Sequence, residues 1–314
     1  MPGNSRFYIN NIFRIKLITR LTYQQEVYAW LSESDFDCII QKDSGKLFAS
    51  IAVIRSKKKI LEIKLIETEL WLMPFASDEY EAYLVDQQQL RHSGIVSVVL
   101  WEDLWKFKKK IVQSRISALL GKSTRIPGRL TYISRLHKKT SETFLERNHL
   151  QGSVSSKYRY GLYLPARYFR VLPDGFVSNG ENQDLLVAVA TFSNARIFAK
   201  NEKTFRSHEL IRFSNLRNTT VVGGMDKLLS AFIKEFHPDD IMSYVDLEWS
   251  DGAGYTKLGF NKISAKPSMQ LLLDPQTNER FSGKNIPENR QVIKITNAGN
   301  LKFVKTISKS NIEI

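Results

Sequence analysis

Two stretches of the chain bring residue types that can do chemistry close together. The first is "NTTVVGGMDKLLSAFIKEF", Asn218–Phe236, in which an apolar run meets two adjacent glycines and turns into an amphipathic helix. A helix start presents free N–H groups and the positive end of a dipole. Val222, Gly223 and Gly224 can therefore face a ligand phosphate, with Lys227 adding a point charge one turn on. A glycine pair also makes a plain tight turn, because glycine takes positive φ without steric cost. The second stretch is "SYVD", Ser243–Asp246. On a strand it puts Ser243 and Val245 on one face, Tyr244 and Asp246 on the other. A carboxylate at a strand end can take a proton and a phenol can give one. The plainer alternative makes Tyr244 core and Asp246 a loop cap, with Tyr255 packing a short helix on the sheet.

Further polar candidates flank these stretches. Glu209 and Arg212 in "ELIRF" are three apart, which on a regular strand points them to opposite sides, one towards a substrate cleft. His149 in "NHLQG" is a base, a phosphate ligand or a helix-end cap, with Asn148 and Gln151 as hydrogen-bonding neighbours. His92, His137, His208 and His237 have no metal-ligand spacing, and no metal site is expected. The single cysteine, Cys38, excludes an intrachain disulfide and reads as a small buried hydrophobe in a reducing cytoplasm.

The elements that must position these residues follow from pattern. Thr22–Ser34 places Val27, Trp30 and Leu31 on one helical stripe with Thr22 as N-cap. Phe36–Pro74 reads as successive strands, broken by Asp43-Ser44-Gly45 and by "SKKK" at Ser56–Lys59. Ser77–Gly94 is a helix capped by Ser77, Ile95–Trp101 a buried strand, and Asp103–Gly121 a second helix with a glycine stop. Turn formers and basic residues in "KSTRIPGR", Lys122–Arg129, mark a domain boundary. Beyond it come a helix capped near Thr140 and ending near His149, strands at Tyr158–Pro165 and Leu185–Ser193, and a surface loop at Pro173–Asp184. Strand Glu209–Leu216, the glycine-initiated helix, and a strand, loop and short helix over Asp239–Phe260 follow. That order is an α+β fold around a mixed sheet.

Charge narrows the partners. Forty-six Lys and Arg against 32 Asp and Glu give +14, a balance that favours nucleic acid through phosphate contacts and counterion release. Basic residues interrupt "IFRIKLITRL" every few positions, so no membrane span or signal peptide is expected and a cytoplasmic location is.

The order of "FLERNHLQG", "YGLY", "LVAVATF", "ELIRF", "VVGGMDKLL" and "SYVDLEWSDGAGYTKLGF" resembles the GNAT-like domain of phage homing-endonuclease-associated proteins. It is similar, more distantly, to Mom-type DNA-modification proteins. "ITNAGNLKFVKT", Ile295–Thr306, resembles their closing strand segment. Leu84–Gly121 is similar to the back half of their small very-short-patch-repair or restriction-endonuclease domain. The resemblance implies an N-terminal strand or tail over residues 1–21 and a degenerate endonuclease-like domain over 22–125. A GNAT-like acyltransferase domain over 128–270 and a C-terminal strand extension over 271–314 complete it. In such a domain a glycine turn and helix start hold the pyrophosphate of acyl-coenzyme A, which assigns Val222, Gly223, Gly224 and Lys227 to the cofactor. Asp246, Tyr244, Tyr255 and His149 fall to catalysis, with Tyr255 where a tyrosine often faces the leaving thiolate. Glu209, Arg212 and Asn148 fall to the substrate. The adjacent glycine pair after Val221-Val222 departs from the usual longer turn with a basic residue before spaced glycines.

The same resemblance frames the first half. Asp37 and Glu62-Ile63-Lys64 echo the acid and Glu-x-Lys with which restriction-endonuclease-like folds hold Mg²⁺. The position of the phage relatives' catalytic strand, "ELWLMPF", lacks their histidine, which implies a degenerate nuclease fold kept for DNA contact or packing. The function expected is a GNAT-like transferase acting at nucleic acid, with base modification of the Mom type. The alternatives are a non-catalytic nucleic-acid-binding relic and a small-molecule N-acetyltransferase.

Overall fold

A computed structural model describes residues 22–34, 36–177, 183–200, 203–281 and 291–307. The strand or tail expected over residues 1–21 lies outside them, as do 178–182 of the Pro173–Asp184 loop and 308–314 of the C-terminal extension.

The first half is a four-stranded sheet with helices on both faces. Its elements are α1 (Tyr23–Glu33), β1 (Asp37–Gln41), β2 (Ser50–Arg55), β3 (Lys58–Ile66), α2 (Ala76–His92), β4 (Val96–Trp101) and α3 (Glu102–Leu119). The sheet order is β1-β2-β3-β4, antiparallel except for the β3–β4 pair that α2 crosses. Thr22 makes the expected capping box with Gln25. Ser77 is not the cap of α2: Phe75 holds that place with φ 66 and no side-chain bond, and Ser77 sits in the first turn. Residues Ser56 and Lys57 take positive φ in the β2–β3 turn, where the interruption was expected. Tyr23, Val27, Leu31, Trp105, Ile111 and Val112 fill one side of the sheet, and Tyr80, Tyr83 and Trp101 contribute to the core on the other.

The second half contains β5 (Thr124–Pro127), β6 (Tyr132–Arg135), α4 (Lys138–Asn148), β7 (Tyr158–Leu164), β8 (Leu185–Phe192), β9 (Arg196–Lys200), β10 (Lys203–Asn215) and β11 (Thr219–Val222). It continues with α5 (Gly224–Phe236), β12 (Asp240–Asp246), α6 (Ala253–Lys257), β13 (Asn261–Lys266), β14 (Gln270–Asp274), β15 (Glu279–Phe281), β16 (Ile293–Thr296) and β17 (Asn300–Thr306). Among the described residues the large sheet runs β13-β17-β12-β10-β8-β7-β6, with β9 paired to β10. The molecule is thus a mixed α/β protein with mixed sheets. Phe232, Leu228 and Leu229 of α5 pack on one face of the large sheet, and Phe144 and Leu145 of α4 on the other. Thr140 lies inside α4 rather than at its start, since His137 is the N-cap.

Three features tie the halves together. The turn-forming stretch Lys122–Arg129 contains β5, which pairs in parallel with β11. Strands β14 to β16 form a separate three-stranded sheet, and Leu273 and Ile295 complete the Trp101 core of the first half. Trp249, in the loop after β12, is buried in the α1–α3 core.

Candidate functional site

The site begins with a divergence of two strands. β10 and β12 are parallel and pair only over Ser207–Glu209 and Asp240–Met242. Beyond that, β12 continues beside β17 to Asp246 while β10 continues beside β8. A cavity of about 880 Å³ lies here, closed by α3 from the first half and by the β14–β15 hairpin. His149, Glu209, Arg212, Tyr244, Asp246 and Tyr255 all line it. Six residues picked out by type and spacing therefore meet in one place.

Glu209 and Arg212 share that lining against the expectation of opposite faces. The register of β10 on β8 shifts between Leu210 and Arg212, and the extra residue of this bulge turns Arg212 to the side of Glu209. Burial raises the Glu209 carboxyl above its ordinary value, against the pull of Lys266 and Arg212.

Tyr244 and Asp246 occupy the cavity face of β12, while Ser243 and Val245 are buried behind them. The Asp246 Oδ1 accepts from the Glu248 N–H at 2.9 Å, and Oδ2 from Gln151 Nε2 at 3.3 Å. Burial still raises its carboxyl, with Arg115 and Arg280 pulling the other way. Glu248, 2% exposed, accepts from Tyr80 OH at 2.7 Å and Trp101 Nε1 at 2.9 Å. Burial first, then the neighbouring Asp246 charge, push its carboxyl up to about 7. Two carboxyls in one enclosed place resist being charged together. The Tyr244 ring carries Lys266 Nζ 3.9 Å from its centroid, and its hydroxyl has no hydrogen bond among the described residues. Tyr255 OH lies 3.1 Å from Ser243 Oγ, which also bonds the Leu210 carbonyl, and burial raises the Tyr255 phenol.

The opposite wall is cationic. Lys108, Arg115 and Arg212 crowd His149, and burial together with these charges lowers its imidazole to about 3. His149 Nδ1 accepts from the Gln151 N–H at 3.1 Å, so the ring is neutral with its proton on Nε2. His149 is therefore a hydrogen-bond donor rather than the base that its position at a helix end allowed. Asn148, expected at the substrate, is spent on structure. Its Nδ2 donates to Phe144 O at 2.7 Å, its Oδ1 accepts from Arg217 N at 2.8 Å, and it does not line the cavity.

The glycine turn stands apart from this cavity. Gly223 caps α5 with φ 74, and a Cβ there meets nothing within 4 Å. Gly224 is packed inward: a Cβ would come within 2.9 Å of Val221 Cβ and 3.2 Å of Leu162 Cδ1. Lys227 does not offer a free charge, because its Nζ donates to the Gly128 and Thr131 carbonyls at 3.0 and 2.5 Å. Val222 is 43% exposed, yet its carbonyl lies 2.5 Å from where a Cβ on Gly128 would stand. Of the four residues assigned to acyl-coenzyme A, Gly223 alone combines positive φ with open space. These contacts engage a side chain and carbonyls, not the N–H groups at the start of α5 that a pyrophosphate needs.

Pattern reasoning passed over Arg115 and Glu248, along with other charged members of the cavity such as Lys266 and Arg280. Arg115 follows Ile111 by four and Val112 by three, so it lies on the buried stripe of α3, and a charge on an apolar stripe was the available signal. Glu248 sits between Leu247 and Trp249 with no such mark. In the first half, Glu62 is paired with Lys59 at 2.6 Å. Lys64 donates to Phe48 O at 2.9 Å and lies 3.6 Å from Glu79. Among the described residues no three His, Cys, Asp or Glu side chains are gathered to hold a metal ion, and no helix is long and apolar enough to cross a membrane.

No family model and no curated protein matches the chain. Solved structures similar to it at low identity include the following three. The ribosomal-protein-S18-alanine N-acetyltransferase of Escherichia coli shares 11% identity over 59% of this chain and 98% of its own, with a TM-score of 0.30. A KacTA–DNA complex shares 14% over 58% and 96%, with a TM-score of 0.30. The histone acetyltransferase HPA2 and related acetyltransferase structure from Corynebacterium glutamicum shares 13% over 48% of this chain, with a TM-score of 0.25; the chain spans 65% of its length.

Proposed function

We propose that the protein is a GNAT-like transferase that modifies nucleic acid, with its chemistry in the cavity where β10 and β12 part. The observation that carries this reading is the pairing, inside one enclosed cavity, of a burial-raised Asp246 carboxyl with the free hydroxyl of Tyr244. A carboxylate whose conjugate acid is less acidic than usual is a stronger base near neutral pH. With an acyl thioester as donor, Asp246 takes the proton of the attacking amine as its nitrogen bonds the acyl carbon, and Gln151 and the Glu248 N–H fix the carboxylate oxygens. Tyr244 gives a proton to the thiolate released as the acyl–sulfur bond breaks, and Tyr255 is held against Ser243 on the other face of β12. The Lys266 ammonium over the Tyr244 ring favours any negative charge that develops there. No part is assigned to the glycine turn.

The net charge of +14 supports a polyanionic substrate. The two-unit division at about residues 125–128, with the first unit contributing to DNA contact, belongs to the same proposal. A mass comparison of nucleosides from cells with and without the gene tests it. A gene-dependent mass shift on one nucleoside supports the transferase. Unchanged nucleosides alongside salt-sensitive nucleic-acid binding would leave a binding module and sink the enzyme.

A further inference from the structure

The cationic wall of the cavity has donors that no group among the described residues consumes. Arg115 comes from α3 of the first half and is half-buried, its guanidinium carbon 5.3 Å from the centre of the Trp249 ring. Among the described residues it makes no hydrogen bond and closes no ion pair, although the Asp246 carboxyl is the strongest charge acting on it. Arg212 uses Nε on the Gly152 carbonyl at 3.3 Å and Nη1 on the Ile211 carbonyl at 2.9 Å, which leaves Nη2. His149 has spent Nδ1 and keeps Nε2–H. Lys108 reaches the Leu150 carbonyl at 2.5 Å from a break in α3 at its own residue (φ −125, ψ 30), and adds positive charge. A half-buried guanidinium with a ring but no hydrogen-bond acceptor beside it is costly, and an anionic ligand lowers that cost.

The rest of the lining selects the kind of anion. Guanidinium groups match phosphate oxygens in paired hydrogen bonds, and a neutral imidazole N–H adds a third donor. Phe107 and Phe213 also line the cavity, and aromatic side chains are the usual partners for a stacked base. A cavity of about 880 Å³ is of a size that takes a small molecule rather than a duplex.

We propose that Arg115, Arg212 and His149 form a phosphate site for one nucleotide, so that the first half supplies part of the substrate site of the second. The proposal rests on the nucleic-acid reading above. It holds a nucleoside phosphate, either free or as one residue turned out of a strand.

Calorimetric titration of the full chain with each of the four nucleosides and its monophosphate tests it. At least one monophosphate is expected to bind about tenfold tighter than its nucleoside, the worth of one good charge-assisted contact. Arg115→Gln and Arg212→Gln should each bring that ratio to within about twofold, with nucleoside binding kept. Thermal melts report folding, and Arg115→Lys, which keeps the charge, serves if Arg115→Gln fails to fold. Displacement of the monophosphate by a single-stranded oligonucleotide supports a strand as source; no displacement supports a free nucleotide. Equal affinity for monophosphate and nucleoside, no binding of any of the four, or a preference that survives in both variants overturns the site. A preference lost in the variants, with no modified nucleoside in cells, leaves this site standing and removes the transferase.

Discussion

The cavity at the end of β12 and the glycine turn at the start of α5 offer similar chemistry on paper, and the fold treats them oppositely. Each places a backbone turn and a charged side chain at a strand end. At the turn, Lys227 is tied to two carbonyls and Gly224 is pressed against Val221, so the one side-chain charge is consumed by packing the second half on the segment after β5. In the cavity, among the described residues, the Asp246 carboxylate has two weak-to-ordinary bonds, and neither the Tyr244 hydroxyl nor the Arg115 guanidinium, which lies over the Trp249 ring, has a hydrogen bond. Residue type names a candidate; unspent bonding capacity in an enclosed space makes it a site.

Variants can break this contrast, and the largest effect is expected at Asp246. Asp246→Asn keeps size and removes the base, so turnover should fall about a hundredfold or more with substrate affinity little changed. Unaltered turnover in steady-state assays would remove Asp246 from the chemistry. Next comes Gly224→Val, in which overpacking against Val221 and Leu162 should cost about 1–3 kcal/mol in a denaturant melt, with or without ligand. A normal melt with ligand binding abolished would return the turn to function.

Glu248 sharpens the contrast through pH. Its folded carboxyl titrates near 7, above its value in the unfolded chain, so its contribution to stability is full at low pH and is lost as pH rises towards and through 7. Glu248→Gln keeps an oxygen for Tyr80 and Trp101 and removes that loss. The variant should be more stable than the wild type by about 1–2 kcal/mol at pH 8 and not at pH 4. Parallel pH profiles of the two melts would contradict the assignment. His149 acts in the opposite window: its depressed imidazole gives stability above pH 6.5 that is lost as pH falls towards 3. The smallest effect is Lys227→Met, which should cost about 1 kcal/mol through the Gly128 and Thr131 carbonyls and leave turnover unchanged.

Much of this was legible in the chain. Helix and strand periods located α3, β4, β8, α5 and β12, and two-residue alternation put Tyr244 and Asp246 on one face. What escaped depends on tertiary context. No local pattern reveals the bulge that turns Arg212 beside Glu209, the pairing of β5 with β11, or the insertion of α3 that brings Arg115 to the cavity. The Ser77 and Thr140 caps failed for a simpler reason: the chain enters both helices a residue or more earlier, at Phe75 and His137, without a capping side chain.

The contrast itself is tested most directly by nucleoside mass analysis in cells carrying wild type, Asp246→Asn or Lys227→Met at matched folded levels. Chemistry in the cavity predicts a modified nucleoside with wild type and with Lys227→Met, and its loss with Asp246→Asn. A product that survives Asp246→Asn and disappears with Lys227→Met would place the working site at the glycine turn and contradict the account.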